Sequence, residues 1–286
     1  MKLIMDWRKN VFLKKARRYY FDAYRHGYYF LHPVVNTHNL NPIIVNSIPK
    51  SGTHLLVQII TSIPGLVDSG NFLASTPSFT MREINESKMS SRVKSLLSKE
   101  VCAAHLFYSD SVAQSIASRN AIHFFIYRDP RDICVSEALY LSEMNRWHRL
   151  HREYSKLDSL EERIDLSIHG LRNSGSVYYP NIKTRVDRYI QWLSSGNVFC
   201  VKYEDLISNN VEAVIRSILS HYCVSSNNDI DVDKAVELAL ERIKPQYSHT
   251  FRKGKRDQWK EVLNRSQQQE INSLLCDAIS IMGYKT

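Results

Sequence analysis

The sequence predicts an α/β fold: a single domain with a central, mainly parallel sheet flanked by helices, entered through a strand, a tight loop and a helix. Three observations carry this expectation. Short apolar runs recur at residues 42–47, 101–105, 122–127 and 198–203, each too short for a helix and rich in β-branched or aromatic residues. Helical patterns follow most of them, at 53–63, 111–118, 130–142, 184–193 and 211–219, and such alternation implies parallel strands with both faces covered. The first run passes straight into Pro49-Lys50-Ser51-Gly52-Thr53-His54, after which the pattern Leu55-Leu56-Val57 begins a helix.

The chain has 286 residues and 43% hydrophobic content, enough to bury one full core. No repeat, low-complexity tract or Gly/Ser linker interrupts its later part, so residues 41–286 read as one domain. Residues 1–40 read as a basic helical segment packed on that domain, with contact to an acidic membrane surface as the second use of its Lys, Arg and aromatic residues. Its apolar runs are too short for a signal segment or a membrane span. Residues 143–180 turn charged and irregular, with His148, His151 and His169, and read as a helical insertion over the carboxyl edge of the sheet. A solvated excursion that holds no ligand fits the same residues.

Lys plus Arg outnumber Asp plus Glu by 38 to 29, giving a formal charge of +9. That surplus favours anionic partners, whether nucleic acid, membrane, acidic polysaccharide or nucleotide, without choosing among them. The cysteines, Cys102, Cys134, Cys200, Cys223 and Cys276, are scattered, with no CxxC pair and no His/Cys cluster at ligand spacing. Reduced thiols, a cytoplasmic setting and no metal are the corresponding expectations.

Within the first loop, the helix start offers unpaired backbone N–H groups and the positive end of the helix dipole, Gly52 lets the backbone come close, and Lys50 adds charge. The loop is not a Walker A sequence, because GxxxxGK[ST] places the lysine after two glycines and just before the helix. By itself it also fits an ordinary Ser/Thr-capped helix.

With its preceding strand, Pro49-Lys50-Ser51-Gly52-Thr53-His54 resembles the 5′-phosphosulfate loop, usually PKSGTTW, of sulfotransferases that use 3′-phosphoadenosine 5′-phosphosulfate (PAPS), which share a P-loop-like fold. Further signatures follow in the family's order. Tyr127-Arg128-Asp129-Pro130-Arg131-Asp132 through Ser136 resembles the 3′-phosphate motif RDPRDxxVS, with Asp129 or Asp132 available as helix caps and Pro130 at a favoured first-turn position. The resemblance assigns Arg128 and Ser136 to the 3′-phosphate, and a guanidinium fork suits a dianion. Phe251-Arg252-Lys253-Gly254 through Trp259-Lys260 resembles the RKGxxGDWK loop that closes over the nucleotide, although Asp257-Gln258 stands where Gly-Asp is usual.

His105, at the end of the run 101–105, matches the family's KxH segment, whose histidine is the general base; the lysine of that segment is Ala103 here. An ordinary imidazole pKa near 6.5 suits that task. Tyr203-Glu204-Asp205-Leu206 resembles the YEDL segment: Tyr203 joins the nucleotide-site candidates, and the carboxylates are expected to tie neighbouring loops together. Leu55 replaces the aromatic residue expected to stack on adenine, leaving Trp259, Trp192 or Tyr127 as substitutes if the fold brings one close. The dimer pattern KxxxTVxxxE is not reproduced after Lys260.

The resemblance thus implies an enzyme taking PAPS and an acceptor molecule, lipid or glycan, with the insertion shaping the acceptor side. The candidate residues are Lys50 and His105 for chemistry, and Lys50, Ser51, Gly52, Thr53, His54, Arg128, Ser136, Tyr203, Arg252, Lys253 and Gly254 for the nucleotide. A Mg²⁺-dependent kinase or NTPase and a non-catalytic binder of acidic polysaccharide or nucleic acid are the rivals; no aromatic–basic motif of recognised spacing supports nucleic acid, which is not an expected partner.

Overall fold

The computed structural model describes Tyr19, Tyr20, Ala23, Tyr24 and residues 40–171, 177–243 and 256–285. The basic segment expected at 1–40 lies almost wholly outside the described residues, as do Arg252, Lys253 and Gly254. Strand β1 (Ile43–Ser47) leads to helix α1 (Thr53–Ile60), β2 (Val67–Ala74), α2 (Glu86–Lys94), β3 (Glu100–His105) and α3 (Asp110–Ser118). Strand β4 (Ile122–Tyr127) and helix α4 (Pro130–Leu139) follow, then α5 (His151–Ser155), α6 (Leu160–His169), α7 (Ile182–Ile190) and β5 (Val198–Lys202). The remainder is helical: α8 (Tyr203–Leu206), α9 (Val211–Ser226), α10 (Val232–Arg242), α11 (Gln258–Val262), α12 (Arg265–Leu274) and α13 (Cys276–Ile281).

The sheet runs β2-β3-β1-β4-β5 and every pairing is parallel. This is the expected α/β class. Side-chain alternation sends Ile43 and Val45 of β1 to one face, where they pack with Leu56 and Ile60 of α1 and Ile215 of α9. Ile44 points to the other face, with Cys102, Phe125 and Ile133. Both faces are covered, which explains why the central strands read as unbroken apolar runs. From β1 the chain first builds β2 and β3 on one side, then crosses to β4 and β5 on the other. The carboxyl end of β1 is therefore the switch point of the sheet, the place where sheets of this kind form their ligand crevice.

Several boundaries differ from the sequence expectation. β2 was not foreseen: Asp68, Gly70 and Asn71 interrupt its apolar pattern, and its register with β3 shifts between Asp68 and Phe72, as an edge strand permits. The helix expected to run to residue 142 is α-helical only to Leu139 and continues as a π-helical turn, Tyr140–Met144, closed by Asn145 N–H donating to Tyr140 O at 3.1 Å. Tyr203 opens a helix and does not close the strand.

Helices α5 and α6 lie in the stretch 143–180, and a buried polar network ties this region to α4. Arg185 donates to Glu137 Oε2 at 2.5 Å, Tyr154 and Ser167 share a hydrogen bond at 2.8 Å, and the Tyr154 and Tyr179 hydroxyls meet. Among the described residues no helix is long and apolar enough to cross a membrane, and no group of three or more His, Cys, Asp or Glu could hold a metal ion.

Candidate active site

Two corners flank the crevice. At the β1–α1 corner the backbone does most of the shaping: Lys50 sits at φ 71° and Gly52 at φ 94°, both in the left-handed region. Gly52 is also pressed from outside, because a Cβ there would lie 2.6 Å from Tyr203 Cδ2. Gly52 caps α1 with no side-chain cap hydrogen bond, which removes the Ser/Thr-capped reading. Ser51 is buried, and its Oγ has no hydrogen-bond partner among the described residues, an orphan donor in an anion-sized bend. Thr53 is buried with Oγ1 2.6 Å from Ser47 Oγ, and His54 is partly buried in the first turn of α1.

The parallel register sets Asn46 beside Ala104, so His105 arrives next to Ser47 although the two are 58 residues apart. Its Nδ1 lies 3.0 Å from both the carbonyl oxygen and the hydroxyl of Ser47. Phe72 of β2 meets the imidazole edge-on at 4.8 Å. Burial, reinforced by the positive charge of Lys50 and opposed by hydrogen bonds with the Ser47 and Ala104 backbone, lowers the pKa of His105 to about 4. Its ring is accordingly neutral near pH 7. Lys50 Nζ rests 3.6 Å from the centroid of Tyr140, the residue that starts the π-helical turn.

The β4–α4 corner is built from paired side chains. Asp129 caps α4 through the Arg131 N–H at 2.9 Å, with Pro130 in the first turn. Asp132, the other expected cap, instead binds Arg128 at 3.2 Å and accepts the Trp259 N–H at 2.9 Å. That last contact joins the end of the third signature to the second. Arg131 is saturated by Asp129 at 2.7 Å, Asn272 at 2.9 Å and the Lys285 carbonyl at 2.7 Å, and its guanidinium lies 3.9 Å from the Trp259 ring. Ser136 is partly buried further along α4.

Tyr203 joins the two corners: one ring edge blocks the space beside Gly52, and the Arg128 guanidinium lies 4.6 Å from its centroid. Glu204 clasps the second corner, accepting the Asp129 N–H at 3.2 Å and the Tyr284 hydroxyl at 2.7 Å, as expected of that carboxylate. Asp257 takes φ 59°, the left-handed turn that the usual glycine would supply, and pairs with Lys260 at 3.0 Å. The aromatic substitutes proposed for the adenine are engaged elsewhere. Trp192 is buried and donates to Leu106 O at 2.9 Å, Trp259 is buried beneath Arg131, and Tyr127 is buried in the core.

Of the insertion histidines, His148 is the one close enough to Lys50 for its charge to act. Burial lowers its pKa to about 4; the charge of Glu137 opposes that shift and the charge of Lys50 adds to it. His169 pairs with Glu270 at 3.5 Å on the surface. Sequence reasoning passed over Ser47, Asn46, Tyr140 and Phe72. Ser47 and Asn46 closed an apolar strand without any motif of their own, and Tyr140 becomes visible only through the π-helical turn.

An anion-shaped loop at the switch point of a parallel sheet, faced by a buried arginine, defines a nucleotide-phosphate-binding α/β protein. Residues 40–282 match the family model for the sulfotransferase domain. The chain belongs to the sulfotransferase family, and the resemblance drawn from its motifs holds. It is similar to sulfotransferase 6B1 of Mus musculus, 26% identical over 243 residues that cover 80% of this chain and 73% of the relative. Sulfotransferase 6B1 of Homo sapiens is 24% identical over 259 residues, covering 85% and 78%. Among solved structures, mouse sulfotransferase SULT7A1 complexed with PAP gives a TM-score of 0.58 at 17% identity, covering 85% of this chain and 84% of that one. Retinol dehydratase in complex with androsterone and inactive cofactor PAP gives 0.57 at 12% identity, covering 86% and 82%. These likenesses carry the fold; family membership makes the chain a PAPS-dependent sulfotransferase.

Proposed function

We propose that the chain transfers the sulfuryl group of PAPS to a hydroxyl or amine of a small acceptor, with His105 as general base and Lys50 opposite the leaving phosphate. The single observation that carries this reading is the meeting of a neutral imidazole with Ser47, the strand end leading into the phosphate loop, 3.0 Å from His105 Nδ1. PAPS supplies an activated sulfuryl group. Ser51, Gly52, Thr53 and His54 would hold its 5′ end, where the buried orphan Oγ of Ser51 fits an anionic ligand. Arg128 and Ser136 would hold its 3′-phosphate with Tyr203 at their base, and Arg252, Lys253 and Gly254 would close over it.

Lys50 and the backbone N–H groups of Gly52 and Thr53 would face the oxygen on which charge grows as the sulfate ester breaks, the Ser51 N–H being taken by Ile48 O at 3.2 Å. One preorganised donor of that kind is worth roughly 3 kcal/mol. His105, neutral at working pH, accepts the acceptor proton. The stretch 143–180 is the acceptor-selective part, supported by the π-helical turn that leads into it and sets Tyr140 against Lys50. Residues 41–286 act as one domain. The free cysteines among the described residues, with a wholly reduced set implied, support a cytoplasmic setting.

Calorimetry with 3′-phosphoadenosine 5′-phosphate (PAP), AMP and ATP, with and without Mg²⁺, tests the donor side. Metal-independent preference for PAP is expected. Preference for ATP with Mg²⁺ would return the case to a kinase, and equal weak binding of all three to a polyanion binder.

A further inference from the structure

We propose that Ser47 is a positioning residue for the transfer reaction, holding His105 in one tautomer and linking the imidazole to the donor loop through Thr53; this rests on His105 being the base. A carbonyl oxygen can only accept, so the 3.0 Å contact between His105 Nδ1 and Ser47 O requires the hydrogen on Nδ1. The neutral ring therefore keeps its lone pair on Nε2, the nitrogen left for the acceptor proton.

The Ser47 hydroxyl extends this contact. It lies 3.0 Å from the same Nδ1 and 2.6 Å from Thr53 Oγ1, nearer than its other acceptor, Ala104 O, at 3.3 Å. With Nδ1–H pointing at Ser47, Oγ accepts from the ring and its own hydrogen goes to Thr53 Oγ1. Thr53, in the first turn of α1, is left to donate outward. The donors then run in one sense from imidazole to loop, and an anion seated in the loop polarises the whole chain. Positive charge on His105 is favoured only when the loop is filled, so the base gains proton affinity when donor is in place.

Asn46 keeps the geometry rigid. Its buried Oδ1 accepts from Leu106 N–H at 2.7 Å and from Ser47 N–H at 2.9 Å, while its Nδ2 donates to Leu106 O at 3.2 Å. The strand ends that carry Ser47 and His105 are thereby locked together.

The test is ¹⁵N-detected NMR of the His105 ring in the full chain, with and without PAP, alongside Ser47→Ala and Ser47→Thr. The parent protein should show the Nδ1–H tautomer, with PAP raising the His105 pKa by about one unit. Ser47→Ala should bind PAP within about twofold of the parent, lose that PAP-linked rise, and drop kcat about tenfold at unchanged acceptor KM. Ser47→Thr should restore both. An Nε2–H tautomer in the parent protein, or a PAP-linked rise that survives Ser47→Ala, overturns the proposal; if Ser47→Ala does not fold, the parent and Ser47→Thr spectra decide. Normal turnover in His105→Ala would overturn the base assignment instead, and the tautomer would still be readable.

Discussion

The two corners of the crevice hold charge by different means. The β1–α1 corner has left-handed backbone at Lys50 and Gly52 and a buried hydroxyl without a partner, so its shape is set by the main chain. The β4–α4 corner has no left-handed residue and a set of arginines already neutralised by Asp129 and Asp132. A site made from backbone tolerates no added atom but keeps its affinity when a side-chain oxygen is removed. A site made from buried ion pairs accepts reshaping of its surroundings but suffers when one partner goes, because the other charge is left stranded.

Gly52→Ala should therefore have the largest effect. Its Cβ would collide with the Tyr203 ring at 2.6 Å in a conformation alanine resists, and PAP binding should vanish from calorimetry together with a drop in melting temperature. Undiminished binding would remove backbone shape as the distinguishing property of this corner. Next come Lys50→Ala and His105→Ala, each expected to lower kcat by about 10²–10³ with PAP affinity changed less than about tenfold. Parallel losses of turnover and affinity would mean that the two corners do the same work.

Arg128→Ala should weaken PAP binding by about 10- to 100-fold while turnover at saturating donor changes little. It should also lower stability, since Asp132 would lose its guanidinium partner. Titration sharpens the contrast further, with the smallest effect. Guanidinium groups do not titrate in the working range, but burial raises the Asp132 and Glu204 carboxyls beside them, so strong acid reaches both corners. Turnover should hold constant from pH 8 to 6 and fall as His105 protonates, near pH 4 in the free enzyme and about one unit higher with donor bound.

Stability follows the same sign. His105, His123 and His148 have folded pKa values lowered to about 4, 3 and 4, chiefly by burial, so the unfolded chain binds protons more readily. Their contribution is complete above pH 6.5 and is lost as pH falls toward 4. The fully enclosed His123 accounts for roughly 3 kcal/mol of this by pH 4. His123→Phe should flatten the acid limb in a thermal melt series, and an unchanged limb would contradict its burial in the neutral form.

What the sequence made legible was whatever one segment could express alone. Pro49 to Thr53 announced a loop between strand and helix, and the central strands announced themselves because parallel packing makes them apolar on both sides. β2 escaped because its edge position tolerates Asp68, Gly70 and Asn71. Ser47 escaped because its meaning depends on a residue 58 positions away, brought alongside only by strand register. The π-helical turn that sets Tyr140 under Lys50 had no local signal either, since Tyr140 and Leu141 continue a pattern that any α-helix would accept. Asp257 is the reverse case: the sequence marked a departure from the family's glycine, and the structure shows aspartate adopting the same left-handed turn.

The ring of Tyr203 has a metric consequence. Because one aromatic side chain is wedged against Gly52 on one side and the Arg128 guanidinium on the other, the span between the jaws of the crevice is fixed like that of a caliper. On the proposed assignment of one phosphate to each jaw, a nucleotide phosphorylated at one end alone would close on only one of them, whatever its base. Length between anionic ends, more than identity of the ring system, would then be what the crevice measures.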